Sequence, residues 1–296
     1  QASWEWVQIG RDHGGARAFL RAGDRCSTCH ARETATIGAR IASGEILEPT
    51  PIPGKRGAFD LTVQAARDEA NLYLRLRWPN APHAPAPFVE GGKMDPEHPA
   101  KAAIMIAGEG IERVEQAGCW ATCHIDSRYM PEAPDAPAIA ASGLTGRLQA
   151  EGGITKYLPE SRTEIDLKGK DRAMGGWDLL RAEAEIEAYL SGGTMMDLIR
   201  VDSTGRAHSG HVLDRRVEHE TELAGEARLE GDTWTMIVAR PLAGSGPGDV
   251  PIEPGRIYTV GFAVHDDYSY ARFHHVSLDL RLSLDDPAAE IRVTGP

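Results

Sequence analysis

The chain has 296 residues, 41% hydrophobic and 26% charged, a balance that suits an ordinary globular protein with room for one large domain or two small ones. Its net charge of −12, from 32 Lys and Arg against 44 Asp and Glu, disfavours nucleic acid and anionic lipid as partners and favours a partner with a basic patch. It holds no run of 18 apolar residues of the kind that spans a membrane as a helix.

The chain opens Gln1-Ala2-Ser3 with no initiator methionine, which fits a processed exported protein, with or without a membrane anchor lost in the same cut, or a trimmed chain. Trp4, Trp6, Val7, Ile9, Phe19 and Leu20 follow. They suit either an apolar segment docked on the core or the walls of a large flat cofactor. Directly after them comes Cys26-Ser27-Thr28-Cys29-His30. This C-x-x-C-H pattern attaches c-type haem: two thiols add across the vinyl groups, and the adjoining imidazole becomes an axial iron ligand. Pro49-Thr50-Pro51-Ile52-Pro53-Gly54 reads as an extended linker. The sequence thus divides into an N-terminal haem-attachment segment, residues 1–55, and a second unit, residues 56–296.

From residue 58 the apolar period becomes two. Leu72, Leu74, Leu76 and Trp78 alternate with Tyr73, Arg75 and Arg77, the pattern of a half-buried strand. Residues 79–99 form a long proline-rich loop suited to covering a haem edge. Residues 101–107 form a short apolar strand containing Met105. It leads into Cys119-Trp120-Ala121-Thr122-Cys123-His124, a second attachment motif with three residues between the cysteines rather than two. The two motifs use all four cysteines. A zinc site, a redox dithiol or two disulfides would each leave unexplained why a histidine follows both pairs. Two covalent haems are therefore expected, on Cys26/Cys29 and Cys119/Cys123, with His30 and His124 as proximal ligands.

Residues 177–190 carry a helical spacing that Asp178 opens and Gly192-Gly193 closes. The last third reads as strands: 223–229 and 233–240 around Glu230-Gly231-Asp232, then 257–265 and 271–284 around Asp266-Asp267-Tyr268. The expected fold is mainly β, a β-sandwich with short helices and long loops. Along 271–284, His274 shares a face with Val276, Leu278 and Leu280, while His275, Ser277 and Asp279 share the other. An interior histidine needs a polar or metal partner, so His274 is the leading distal-ligand candidate. His275 replaces it if a bulge shifts the register. Met105 is the best methionine candidate, with plain core packing as its alternative. His265, His83, His13 and Met130 complete the set.

Several stretches together resemble the haem-binding domain of the ethylbenzene dehydrogenase γ-subunit type, over roughly residues 56–286. They are Leu72-Tyr73-Leu74-Arg75-Leu76-Arg77-Trp78, residues 102–107, Gly118-Cys119-Trp120 with Cys123-His124-Ile125-Asp126, residues 260–267 and Arg272-Phe273-His274-His275-Val276-Ser277. The resemblance implies a haem-holding β-sandwich that passes electrons, in some members to molybdenum enzymes. It also implies methionine and lysine ligation of a b-haem. Arg181 stands about where that lysine would fall, and arginine stays protonated. No phosphate loop or nucleophile elbow occurs in the sequence. The functional expectation is an exported, periplasmic dihaem c-type cytochrome that relays electrons, an electron-transfer protein rather than an enzyme. Its partner would be a redox protein with a basic docking patch, such as a molybdenum enzyme or a membrane quinol-oxidising cytochrome. The alternatives are a dihaem peroxidase or small-oxide reductase, and a haem-based redox or gas sensor; each needs one open iron.

Overall fold

The computed structural model describes residues 7–8, 13–48, 51–80, 95–123, 137, 141, 157–162, 180–269 and 274–295. Eleven strands dominate them: β1 (Thr62–Arg67), β2 (Asn71–Pro79), β3 (Lys101–Ala107), β4 (Met196–Asp202), β5 (Ala207–Val212), β6 (Arg216–Glu230), β7 (Thr233–Pro241), β8 (Tyr258–His265), β9 (His275–Val276), β10 (Leu280–Ser283) and β11 (Ile291–Thr294). Among the described residues five short α-helices accompany them: α1 (Cys26–His30), α2 (Thr34–Ala42), α3 (Val114–Ala117), α4 (Trp120–Cys123) and α5 (Glu183–Ser191). The protein is mainly β, as its sequence indicates. The sheet closes on itself, because β10 pairs with both β11 and β8. Ten strands form the ring β10-β11-β1-β2-β7-β6-β5-β4-β3-β8, and β9 hangs on the outer part of β8. Among the described residues, closure leaves no long unpaired edge.

The interior follows the period-two pattern. Leu72, Leu74, Leu76 and Trp78 are buried and meet Met236, Val238 and Trp234 across the β2–β7 ladder. Each such side chain contributes about 1.5–3 kcal/mol by leaving water. From β3, Ala102, Ile104 and Ile106 are buried in the same interior. The outward residues of β3, Ala103 and Met105, are only partly buried, and they become part of the site. Strand β6 turns the corner of the ring, pairing with β5 through residues 216–223 and with β7 through 224–230. Gly225 sits at that turn, where a Cβ would fall 2.4 Å from the Gly205 carbonyl oxygen.

Two elements differ from their sequence patterns. The helix expected over 177–190 begins only at Glu183, where the Glu185 carboxylate accepts the Ala182 N–H; Asp178 lies outside the described residues. The strand expected over 271–284 is broken. Beyond β9, Ser277 Oγ accepts the Phe262 N–H and takes the place of a ladder bond. The chain then leaves the sheet, and Asp279 turns inward to full burial before β10 begins.

Candidate haem site

A carboxylate from the barrel fixes the first cysteine motif. Asp279 accepts from the Ser27 N–H at 2.9 Å and from Ser27 Oγ at 2.8 Å. Arg25 donates to it through Nε, and its other branch reaches Glu290 at 2.9 Å. Ser27 lies in the first turn of α1, whose amides have no partner within the helix, so a carboxylate from 252 residues away caps this helix. Cys26 is half-buried against the core and Cys29 is exposed. Burial first, then the Asp279 charge, push the Cys26 thiol up to about 12. Such surroundings suit an uncharged sulfur, and a thioether is one. His30, closing α1, holds Glu33 through Nδ1 at 3.2 Å. The His13 ring lies with its centroid 6.1 Å from that of His30.

The second motif lies next to the first. Gly118 adopts φ +56°, and a Cβ there would stand 3.0 Å from Asp279 Cα, so only glycine brings the backbone this close. Asp279 therefore touches α1 on one side and the residue preceding Cys119 on the other. Phe19 and Arg113 strengthen the junction, with the guanidinium 5.7 Å from the ring centroid.

Cys119 opens onto a cleft on the outer face of the barrel with a cavity volume of about 50 Å³. Its floor is made of the small residues Ala103, Gly261 and Ala263, and Trp120, Met105, His274 and Val276 stand around it. Gly261 permits this: a Cβ would lie 3.0 Å from Cys119 Sγ. A flat floor bordered by apolar walls, a thiol, a thioether and an imidazole is chemically suited to an iron macrocycle. Met105 Sδ receives Thr122 Oγ at 3.8 Å. The His274 ring stacks on His265, with centroids 4.7 Å apart and planes at 21°.

The remaining sequence candidates fall elsewhere. His275 Nε2 lies 3.2 Å from Asp266, itself held by Lys55 and Arg56, so His275 belongs to a cluster of charges beside the cleft. Arg181 donates to the Glu160 carbonyl at 2.9 Å and pairs with Glu185. His124, His83 and Met130, and the side chain of Cys123, lie outside the described residues. So does most of the loop 79–99. Sequence reasoning missed Asp279, which it placed on the solvent face, and the pairing of His13 with His30. Neither leaves a local signal, because each contact joins distant segments or depends on how the N-terminal segment folds.

Known proteins match along most of the chain. The model of the ethylbenzene dehydrogenase family covers residues 36–277, which contain β1 to β9 and the whole cleft. A cytochrome c-552 from Stutzerimonas stutzeri is 36% identical over 286 residues, 95% of this chain and 80% of the relative. A cytochrome c-551 from Rhodocyclus tenuis is 26% identical over 292 residues, 98% of this chain and 90% of the relative. With the barrel and its cleft inside the matched region, this chain belongs to the ethylbenzene dehydrogenase family.

Proposed function

We propose that this protein is an exported dihaem c-type cytochrome, working in the periplasm, that relays electrons between redox partners. The observation that carries the reading is the double contact of Asp279, which holds α1 against the barrel and backs the Gly118–Cys119 turn. Two haem-attachment motifs held side by side by one buried carboxylate suit transfer between two centres. The relatives named cytochrome c support covalent haem on this chain.

In this reading Cys26, Cys29, Cys119 and Cys123 hold the two groups, and His30 and His124 are their proximal ligands. Each bound haem supplies a one-electron iron couple. His274 is assigned as the distal ligand at the second centre, since its imidazole lines the cleft beside Cys119. Met105 lines it too, but its sulfur already meets the Thr122 hydroxyl. Ala103, Gly261, Ala263 and Trp120 would line the macrocycle and keep water from it, and burial of that kind helps set a reduction potential. The net charge of −12 favours a partner with a basic docking patch. A molybdenum enzyme or a membrane quinol-oxidising cytochrome would fit that role.

The test is the spin state of the oxidised protein. Two six-coordinate low-spin irons, inert to carbon monoxide when reduced, support a relay. One high-spin iron would instead support the peroxidase, small-oxide reductase or sensor reading.

A further inference from the structure

We infer that His211 and His219 form an acid-sensitive latch: with both imidazoles neutral they hold the 242–252 loop against β5 and β6, and proton uptake by the pair releases it. The inference is independent of the haem reading, and none of its residues lines the cleft.

The hydrogen bonds of the cluster run in one direction. Ser209 Oγ donates its one proton to Asp249 Oδ1 at 2.8 Å. His219 Nδ1 lies 2.8 Å from the same Oγ, so the ring is the donor there, and a neutral His219 keeps Nε2 as an acceptor. His211 Nδ1 fills that acceptor at 2.9 Å. Each group thus donates once towards Asp249, and the chain is complete with both rings neutral. A proton added at His211 Nε2 brings a charge into a site where His211, Ser209 and Asp249 are all buried. A second proton, on His219 Nε2, sets two N–H donors face to face, and the 2.9 Å contact is lost.

The loop is built on this chain. Asp249 Oδ2 accepts the Ser245 N–H at 2.6 Å, and Val250 donates its N–H to the buried Asp197 at 2.8 Å. The Ile252 N–H closes on the Leu242 carbonyl at 2.8 Å. Gly248 lies against the His211 ring with φ +91°, and a Cβ there would fall 2.6 Å from His211 Nδ1. A shift of that ring therefore displaces the loop backbone.

The charges around the pair set the sign. Burial first, then His219, hold the His211 value below the usual 6.5; Arg215 adds to this, while Asp214 and Asp249 oppose it. A depressed value means that the fold favours the neutral ring. The stabilisation is complete above about 6.5 and is lost as pH falls below it. Glu218, next to His219 on β6, is turned to Arg200. On β4, Asp197 pairs with Arg240, but burial outweighs that charge and raises its carboxyl. A raised carboxyl strengthens a fold as pH falls, so Asp197 opposes an acid release.

The test is hydrogen–deuterium exchange of the haem-loaded protein between about pH 7.5 and 5, with the 242–252 peptide read against a β2 peptide. After correction for the intrinsic effect of pH, loop protection should fall roughly tenfold while β2 holds, since each proton taken up on opening changes that equilibrium by up to about tenfold per pH unit. His211→Asn can still donate to His219 but takes up no proton. It should keep native protection at the upper pH and lose the pH dependence. Native protection that stays level with β2, or a His211→Asn loop that loosens in acid as much as the native one, refutes the latch. Should His211→Asn fail to accumulate, exchange of the imidazole C2 hydrogens in the native protein decides instead. His211 should then titrate below the ordinary histidine value, and a midpoint at or above that value overturns the inference.

Discussion

Replacing Asp279 with alanine probes the junction between the N-terminal segment and the barrel. The change removes the acceptor of both Ser27 hydrogen bonds and of the Arg25 Nε donor, at a side chain with no exposure to solvent. Breaking a buried, hydrogen-bonded charge pair costs about 3–5 kcal/mol. Arg25 keeps Glu290, so the loss belongs at the lower end, about 3 kcal/mol. For a chain of this size that corresponds to a fall in Tm of roughly 6–12 °C. Thermal unfolding of the holoprotein, followed by haem absorption and by near-ultraviolet circular dichroism, measures it. Asp279→Asn can still accept the Ser27 N–H and should fall between the two. The N-terminal segment of the alanine variant should also be cut sooner by protease. A Tm within about 2 °C of native, with unchanged proteolysis, would refute the claim that this carboxylate fastens α1 to the barrel.

Three further predictions concern other residues. His274→Ala should turn about half of the haem high-spin and open to carbon monoxide, while Met105→Ala leaves both irons low-spin; the reverse pattern would transfer the ligand role to Met105. Burial pushes the Asp95 carboxyl up, but the hydrogen bonds from Lys101, the Glu97 amide and His98 outweigh it and leave it at about 2. Because the folded value is depressed, this stabilisation is complete above the ordinary carboxylate value and is lost as pH falls from about 4 towards 2. Asp95→Asn should therefore remove about 1 kcal/mol of acid-dependent stability, discounted for a partly exposed pair, in unfolding curves between those pH values; identical pH profiles would contradict this. Electron transfer to a basic redox partner should slow roughly tenfold from low to high salt, since exposed charges are screened beyond about 8 Å at physiological ionic strength. Stopped-flow rates that stay flat would exclude electrostatic steering.

The strands that the sequence shows clearly are those with one wet face. Strands β2, β3 and β7 alternate by burial, and Leu72 to Trp78 and Lys101 to Ala107 match their observed bounds closely. Strand β4 is buried at nearly every position, and β6 carries charges at many, so neither presents a clean period of two. Closure of the ring was not readable, because it depends on β10 meeting β8 and β11, and such long-range pairings leave no local pattern. At the site, the cysteines and their histidines were explicit, and alternation put His274 and Val276 on one face, where both line the cleft; that face is the outer one, with Val276 exposed, and not the interior that the run of leucines indicated. The same alternation failed three residues later. Asp279 reads as a solvent-facing strand residue but is drawn inward by Arg25 and Ser27, which stand more than 250 positions earlier.

The central claim is two haems covalently bound to one chain. Mass spectrometry of the denatured holoprotein tests it directly, since thioether-linked haem stays with the chain when fold and axial ligands are lost. The account predicts a mass increase of two haems, with one on the Cys26–Cys29 peptide and one on the Cys119–Cys123 peptide after digestion. A single addition, or haem that dissociates on denaturation, would contradict it.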